Sequence, residues 1–169
     1  MEGAMASNHM SALRKTPGDT PDRIEFRQAR IPDAAELLQL IRAYYRFDRI
    51  RFRSNTIDSA LRKLLRSSSL GRIWIMRDGA KAVGYIVLTF NYDLEFGGFE
   101  GIVTDLFILS DYRARGLGRH ALALVYAYCR SAGIRTVELQ VEEHNKDAQK
   151  FYLKHGFRKL SRMVMSRDV

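Results

Sequence analysis

One stretch limits the fold of this chain more than any other: Leu106-Phe107-Ile108-Leu109-Ser110-Asp111-Tyr112-Arg113-Ala114-Arg115-Gly116-Leu117-Gly118-Arg119. An apolar run ends, a basic turn with two glycines follows, and a helical pattern opens at Leu117. The start of a helix carries backbone N–H groups with no partner and the positive end of the macrodipole. Glycine in such a turn lets the backbone approach an anion closely. Together these make a pyrophosphate cradle. The spacing is neither that of a P-loop, because no GK[ST] triplet is present, nor GxGxxG after a strand. Read alone, it is also compatible with a basic loop leading into a glycine-rich helix start.

The flanking pattern is an α/β alternation. Arg23 to Arg27 alternates, with Ile24 and Phe26 on one face, as a first strand would. Pro32 suits a helix start, and Ala34, Leu37, Leu38, Ile41, Tyr44 and Tyr45 follow at helical spacing. Thr56 is placed to cap a second helix that buries Ile57, Leu61, Leu64 and Leu65. Strands are expected over Arg72–Met76 and Ala82–Phe90, with Asp78-Gly79 turning between them. Gly97-Gly98 marks another turn before a long strand from Phe99 to Leu109. A helix from Leu117 to about Ser131, ended by Gly133, precedes a strand over Thr136–Val141. A short helix from about Lys146 to His155 stops at Gly156, and Phe157 to about Met165 reads as the last strand. The order β-α-α-β-β-β-α-β-α-β suits one α/β domain with a mixed sheet.

With 169 residues, the chain is long enough for one such core. Its 46% hydrophobic and 28% charged residues are ordinary for a globular domain. No apolar stretch approaches the ~20 residues of a membrane span, and the N-terminus lacks the apolar centre of a secretory signal. The cytoplasm is therefore the expected compartment. Residues 1–22, with Pro17, Gly18 and Pro21, read as a disordered leader before a domain over 23–169. His9-Met10 reads as a cloning junction, with Met10 the natural start and residues 1–9 foreign. Cys129 is the lone cysteine and sits at an apolar helical position, so it is expected in the core. The net charge of +9 points to nucleic acid, a phosphate-rich cofactor, or a merely basic surface.

Arg113, Gly116 and Gly118 match the R/Q-x-x-G-x-G/A signature of GCN5-related N-acetyltransferases (GNAT). Asn145-Lys146-Asp147-Ala148-Gln149-Lys150-Phe151-Tyr152 resembles that family's N-x-x-A-x-x-F-Y segment, with the frequent Gly-Phe pair at Gly156-Phe157. Two motifs in the family's order and separation are more specific than either alone. The resemblance spans about Arg23 to Met165. The segments at 105–118 and 145–152 look most like the diamine (spermidine/spermine) acetyltransferase branch.

The resemblance implies a single GNAT-like α/β domain with a central mixed, mostly antiparallel sheet, about four helices, and splayed fourth and fifth strands. It implies transfer of an acetyl group from acetyl-CoA to a primary amine, small or peptidyl, by direct attack in a ternary complex. It implies cofactor binding by the Leu106, Phe107 and Ile108 backbone, by the turn of Arg113, Ala114, Arg115, Gly116, Leu117, Gly118 and Arg119, and by Asn145. It also implies a homodimer, paired at the sheet edge and the last strand. Tyr152 becomes the candidate general acid, because a tyrosine titrating near ~10 is protonated at neutral pH; by position it is equally a packing aromatic. The diamine branch has a glutamate where Thr104 stands, and threonine cannot act as a base. Glu100, four residues back and on the Thr104 face of a regular strand, is the candidate base, acting through water; the same position suits a solvated charge beside a turn. Asp105 falls on the opposite face and is expected to be structural. Acceptor contacts are expected from Tyr44, Tyr45, Asp48, Asn91, Asp93, Glu95 and Glu100, the acidic hairpin attracting a cation. His144 beside Glu142 and Glu143 lacks a second histidine at ligand spacing, so no metal site is expected. Two other functions compete: a catalytically silent acyl-CoA-binding protein, and a nucleic-acid module built on the basic run from Arg46 to Arg53, which Asp48 interrupts.

Overall fold

Alternation along two central strands divides the apolar side chains between two layers of helix. In the computed structural model, which describes residues 24–168, these strands are β2 (Gly71–Asp78) and β3 (Lys81–Asp93). Ile73, Ile75, Tyr85 and Val87 point to one face, and Trp74, Met76, Ile86 and Leu88 to the other. The expected leader and cloning junction lie outside the described residues.

β1 (Ile24–Gln28), β2, β3, β4 (Gly98–Ile108) and β5 (Val137–Leu139) form one sheet in sequential order. All neighbours are antiparallel except the parallel pair β4–β5. α1 (Ala34–Phe47) and α2 (Ser54–Arg66) cover one face with Leu37, Leu40, Ile41 and Leu61. α3 (Leu117–Ser131) covers the other with Leu117, Ala121, Leu122, Val125 and the buried Cys129. α4 (Lys146–Lys154) packs Phe151 and Tyr152 beside that second layer.

Pro32 lies in a 3-10 turn, Ile31–Asp33, that leads into α1. Asp33 is buried there and accepts two bonds from the Arg27 guanidinium, at 2.9 and 2.6 Å, and one from the Arg30 amide at 2.7 Å. Arg77 joins the cluster and pairs with Glu36 of α1. The first strand is thereby fastened to the first helix by charge as well as packing.

Two expectations are corrected. α2 begins at Ser54, with Arg53 at the N-cap position and no side-chain cap, so Thr56 lies in the first turn and caps nothing. Packing of Ile57 and Leu61 against α1 and the sheet fixes that helix more firmly than a cap could. Phe157–Met165 forms no strand. β5 has only three residues and offers a short template; the segment is held instead by Phe157, packed on Tyr126 and Tyr152, and by Arg162, bonded to Glu95 on the β3–β4 loop at 2.6 and 2.7 Å. Met163, Val164 and Met165 are left exposed.

Candidate active site

β4 changes face in its middle. Leu88 pairs with Val103, but the next residue back on β3, Val87, pairs with Asp105. Thr104 is therefore the extra residue of a β-bulge, which re-aims the side chains on either side of it. Val103 belongs to the α3 layer, and so do Leu106 and Ile108, an odd step that a regular strand forbids. Asp105 and Phe107 turn instead to the layer of α1 and α2. The expected placement of Asp105 opposite to Glu100 thus fails: the bulge brings both to the same side of the sheet.

Asp105 ends among tyrosines. Burial raises its carboxyl to about 6, and the nearby Tyr85 hydroxyl partly offsets that rise. The Tyr85 hydroxyl is itself fully buried and closes no well-formed hydrogen bond, so its proximity to Asp105 leaves hydrogen-bonding capacity unused. Tyr44 and Tyr45 of α1 are raised by burial first and by the Asp105 charge second. Tyr152 of α4 is pushed up to about 12 by burial, then by Asp105 and Tyr126. One carboxylate is therefore felt from both layers, through the gap between β4 and β5.

That gap follows from the register. β5 pairs only with Gly101–Val103, so β4 from Thr104 to Ile108 has no strand neighbour on that side. The splay expected of the fourth and fifth strands is present. Glu100 sits farther along β4, buried, with Oε1 accepting from Asn91 Nδ2 at 2.6 Å and Oε2 without a partner. The acidic hairpin is internally engaged: Glu95 holds Arg162, and Asp93 accepts from the Glu95 amide. It offers less charge to a cation than the sequence suggests.

Beyond Ile108 the chain passes through a 3-10 turn, Ser110–Tyr112, into the glycine turn. Ala114 (φ 58°) and Gly116 (φ 80°) are both left-handed. Left-handed residues between ordinary ones point successive amides inward, the geometry of an anion nest. The opening turn of α3 has no side-chain cap and no acidic residue, so its amides suit an external anion. The Arg113 side chain braces the turn from behind. Its Nε donates to the Ile108 carbonyl at 2.8 Å, and its guanidinium lies 4.5 Å from the Phe47 ring centre. The basic run from Arg46 to Arg53 thus abuts the glycine turn through Phe47.

Gly118 serves packing. A Cβ there would meet the Phe151 ring at 2.9 Å. The two sequence motifs touch at this point, and the small residue in one makes room for the aromatic in the other. Phe151 in turn packs edge-on against Tyr152 at 5.2 Å. Asn145 caps α4 by accepting from the Ala148 amide at 3.1 Å, and its amide nitrogen remains a donor.

A nest for two phosphates that opens onto a vacant strand edge suits a ligand with a diphosphate at one end and an amide-bearing arm at the other. Coenzyme A has that form, and the class of protein so defined is a coenzyme A-dependent acyltransferase. The Acetyltransferase (GNAT) family matches residues 34–157, and the chain belongs to it. Members take their acetyl group from acetyl-CoA.

Among similar proteins, the uncharacterized N-acetyltransferase YhfO of Bacillus subtilis is 25% identical over 134 residues, covering 79% of this chain and 89% of that one. The aminoalkylphosphonate N-acetyltransferase of Salmonella typhimurium is 30% identical over 83 residues, covering 49% of this chain and 53% of that one. The fold of a salt-marsh integron cassette protein, HFX_CASS3, superposes with a TM-score of 0.76 at 31% identity over 85% of this chain and 90% of that one. Aminoglycoside N-acetyltransferase AAC(6')-Iy in complex with CoA shares the fold, with a TM-score of 0.76 at 16% identity over 91% of this chain and 99% of that one. Among the described residues, no helix is long and apolar enough to cross a membrane.

The bulge is what sequence reasoning missed. Its one trace in the sequence is the polar pair Thr104-Asp105, which interrupts the apolar run from Ile102 to Leu109.

Proposed function

We propose that the protein moves an acetyl group from acetyl-CoA to a primary amine by direct attack within a ternary complex. The observation that carries this reading is the vacant edge of β4 from Thr104 to Ile108, which leads into the left-handed turn at Ala114 and Gly116 and the uncapped start of α3. Acetyl-CoA supplies the thioester: its C–S bond breaks as the C–N bond to the amine forms. The backbone of Leu106, Phe107 and Ile108 binds the pantetheine arm, and one amide there polarises the carbonyl. Amides from Ala114 to Arg119 hold the pyrophosphate. Asn145 contacts the arm through the nitrogen that its capping role leaves over.

The ammonium must lose two protons. Asp105 accepts the first, because a carboxyl near 6 is mostly ionised at neutral pH yet basic enough to take a proton. Tyr152 gives its proton to the departing sulfur, and the amine's second proton replaces it. Asp105 suits the base role better than Glu100, because it directly precedes the Leu106–Ile108 edge, whereas Glu100 lies five residues back beside Asn91. The spermidine-like motif spacing has no matching second carboxylate at Thr104, which leaves the diamine branch unsupported as the source of specificity.

Tyr152→Phe tests the assignment. Turnover with acetyl-CoA and an amine, read by thiol release, should fall on the order of 100-fold, while calorimetric affinity for CoA stays within about twofold. Turnover equal to wild type would remove Tyr152 from the acid role.

A further inference from the structure

Asp105 forms part of the wall of a cavity of about 170 Å³ between α1, α2 and the sheet. The rest of its lining is largely hydrocarbon, from Ile41, Tyr45, Ile57, Leu61, Ile73 and Val87. Thr104, the bulge residue, also faces it, and Asp105 is the one carboxylate in the lining. Acids on the nearby helices are occupied: Asp58 holds Arg62 at 2.9 Å, and Asp48 accepts from Tyr44 at 3.3 Å. The other polar groups of the lining are uncharged hydroxyls, on Tyr45, Thr89 and Thr104.

Asp105 is the one charged group of this half-open trough, so it neutralises one ammonium. A second ammonium held against the wall would find only the hydroxyls of Tyr45, Thr89 and Thr104 and would give up part of its water for them. The net charge of +9 further opposes a polycation approaching from solution. Its volume matches the part of a ligand that lies against the wall, about one ring or a six-carbon chain, the rest staying in water.

We infer that the acceptor is a monoamine: one primary ammonium, seated on Asp105, carried by an uncharged aromatic ring or a hydrocarbon of about six carbons. The inference rests on the acetyl-transfer reading above and narrows it to a substrate class. Aminoglycosides and polyamines, whose further ammonium groups meet no second carboxylate there, are the poorer substrates. Thr104 matters here as well, because the bulge it forms aims Asp105 into the cavity.

Hexylamine and 1,6-diaminohexane form the test pair, alike in length and different by one charge. Acetyl-CoA-dependent thiol release should give hexylamine a kcat/KM on the order of 100-fold above that of the diamine. 2-Phenylethylamine should behave like hexylamine, and spermidine like the diamine. Asp105→Asn should lower kcat/KM for hexylamine at least 100-fold with CoA affinity unchanged. Ala60→Phe, at an exposed helix position on the cavity rim, should raise KM for both monoamines about tenfold by narrowing the entrance. A diamine or spermidine rate equal to or above that of hexylamine would overturn the inference while leaving the acetyltransferase standing. So would CoA binding with no acetylation of either monoamine. Absence of CoA binding would instead refute the reading beneath it.

Discussion

Burial moves the Asp105 carboxyl from an ordinary 3.8 to about 6. The folded protein therefore holds a proton between those values that the unfolded chain has released. Stability contributed by the protonated form is present below about 3.9 and is lost as pH rises through about 6. At about 1.4 kcal/mol for each pH unit of displacement, the loss comes to roughly 2–3 kcal/mol by neutral pH. Asp105→Asn abolishes this titration while keeping the shape of the side chain. Urea unfolding of both proteins at pH 4 and pH 7.5 should show the variant gaining on wild type by roughly 2–3 kcal/mol between the two conditions. The comparison removes any pH-independent cost of the buried amide, because only the change with pH is read. A stability difference that stays constant across the two conditions would refute the argument and return Asp105 to an ordinary solvated carboxylate. Greater stability with lost activity is the signature of a charge kept in an unfavourable place for chemistry.

Further predictions concern the parts that position the site. Gly118→Ala drives a methyl into the Phe151 ring at 2.9 Å; overpacking costs about 1–3 kcal/mol, against about 1 kcal/mol gained in helix propensity. Combining it with Phe151→Leu should recover most of that cost, and additive effects in a double-mutant cycle would show that the two motifs do not touch. Asp33→Ala removes the carboxylate that accepts from Arg27 and the Arg30 amide and should destabilise by about 1–3 kcal/mol at pH 7, since Arg27 is 35% exposed and can turn to water. Because hydrogen bonding from Arg27 holds the Asp33 carboxyl below its usual range, its stabilisation is present above about 3.9 and vanishes as pH falls through the depressed value. Melting curves of wild type and variant should therefore converge in acid, and a gap that persists there would contradict the ion-pair origin.

Most of the fold was legible because its signals are local and periodic. The apolar runs of β2 and β3 around the Asp78-Gly79 turn, the helical spacing of α1 and the glycine turn before α3 each name an element from adjacent residues. The two motifs located the cofactor side for the same reason. What could not be read depends on partners distant in sequence. The bulge at Thr104 arises from register with β3, and it reverses the face of Asp105. Gly118 reads as a phosphate contact until Phe151, thirty-three residues on, is seen to fill the space above it. Phe157–Met165, with Leu160, Met163 and Met165 apolar, reads as a strand, yet a strand also needs an edge of adequate length, and β5 supplies only three residues. Thr56 had the chemistry of a cap, but the packing of Ile57 and Leu61 began the helix earlier.

Cofactor capture depends most on backbone amides at the start of α3 gripping a diphosphate. Calorimetric titration of coenzyme A into wild type and Gly116→Val reads that directly. Gly116 is left-handed (φ 80°) with open space around it, so valine strains the nest without touching a neighbour. Wild type should bind one coenzyme A per chain, and the variant should bind at least about tenfold more weakly, the loss expected from one or two kcal/mol of backbone strain. No heat of binding with wild type, or equal affinity in both proteins, would contradict it.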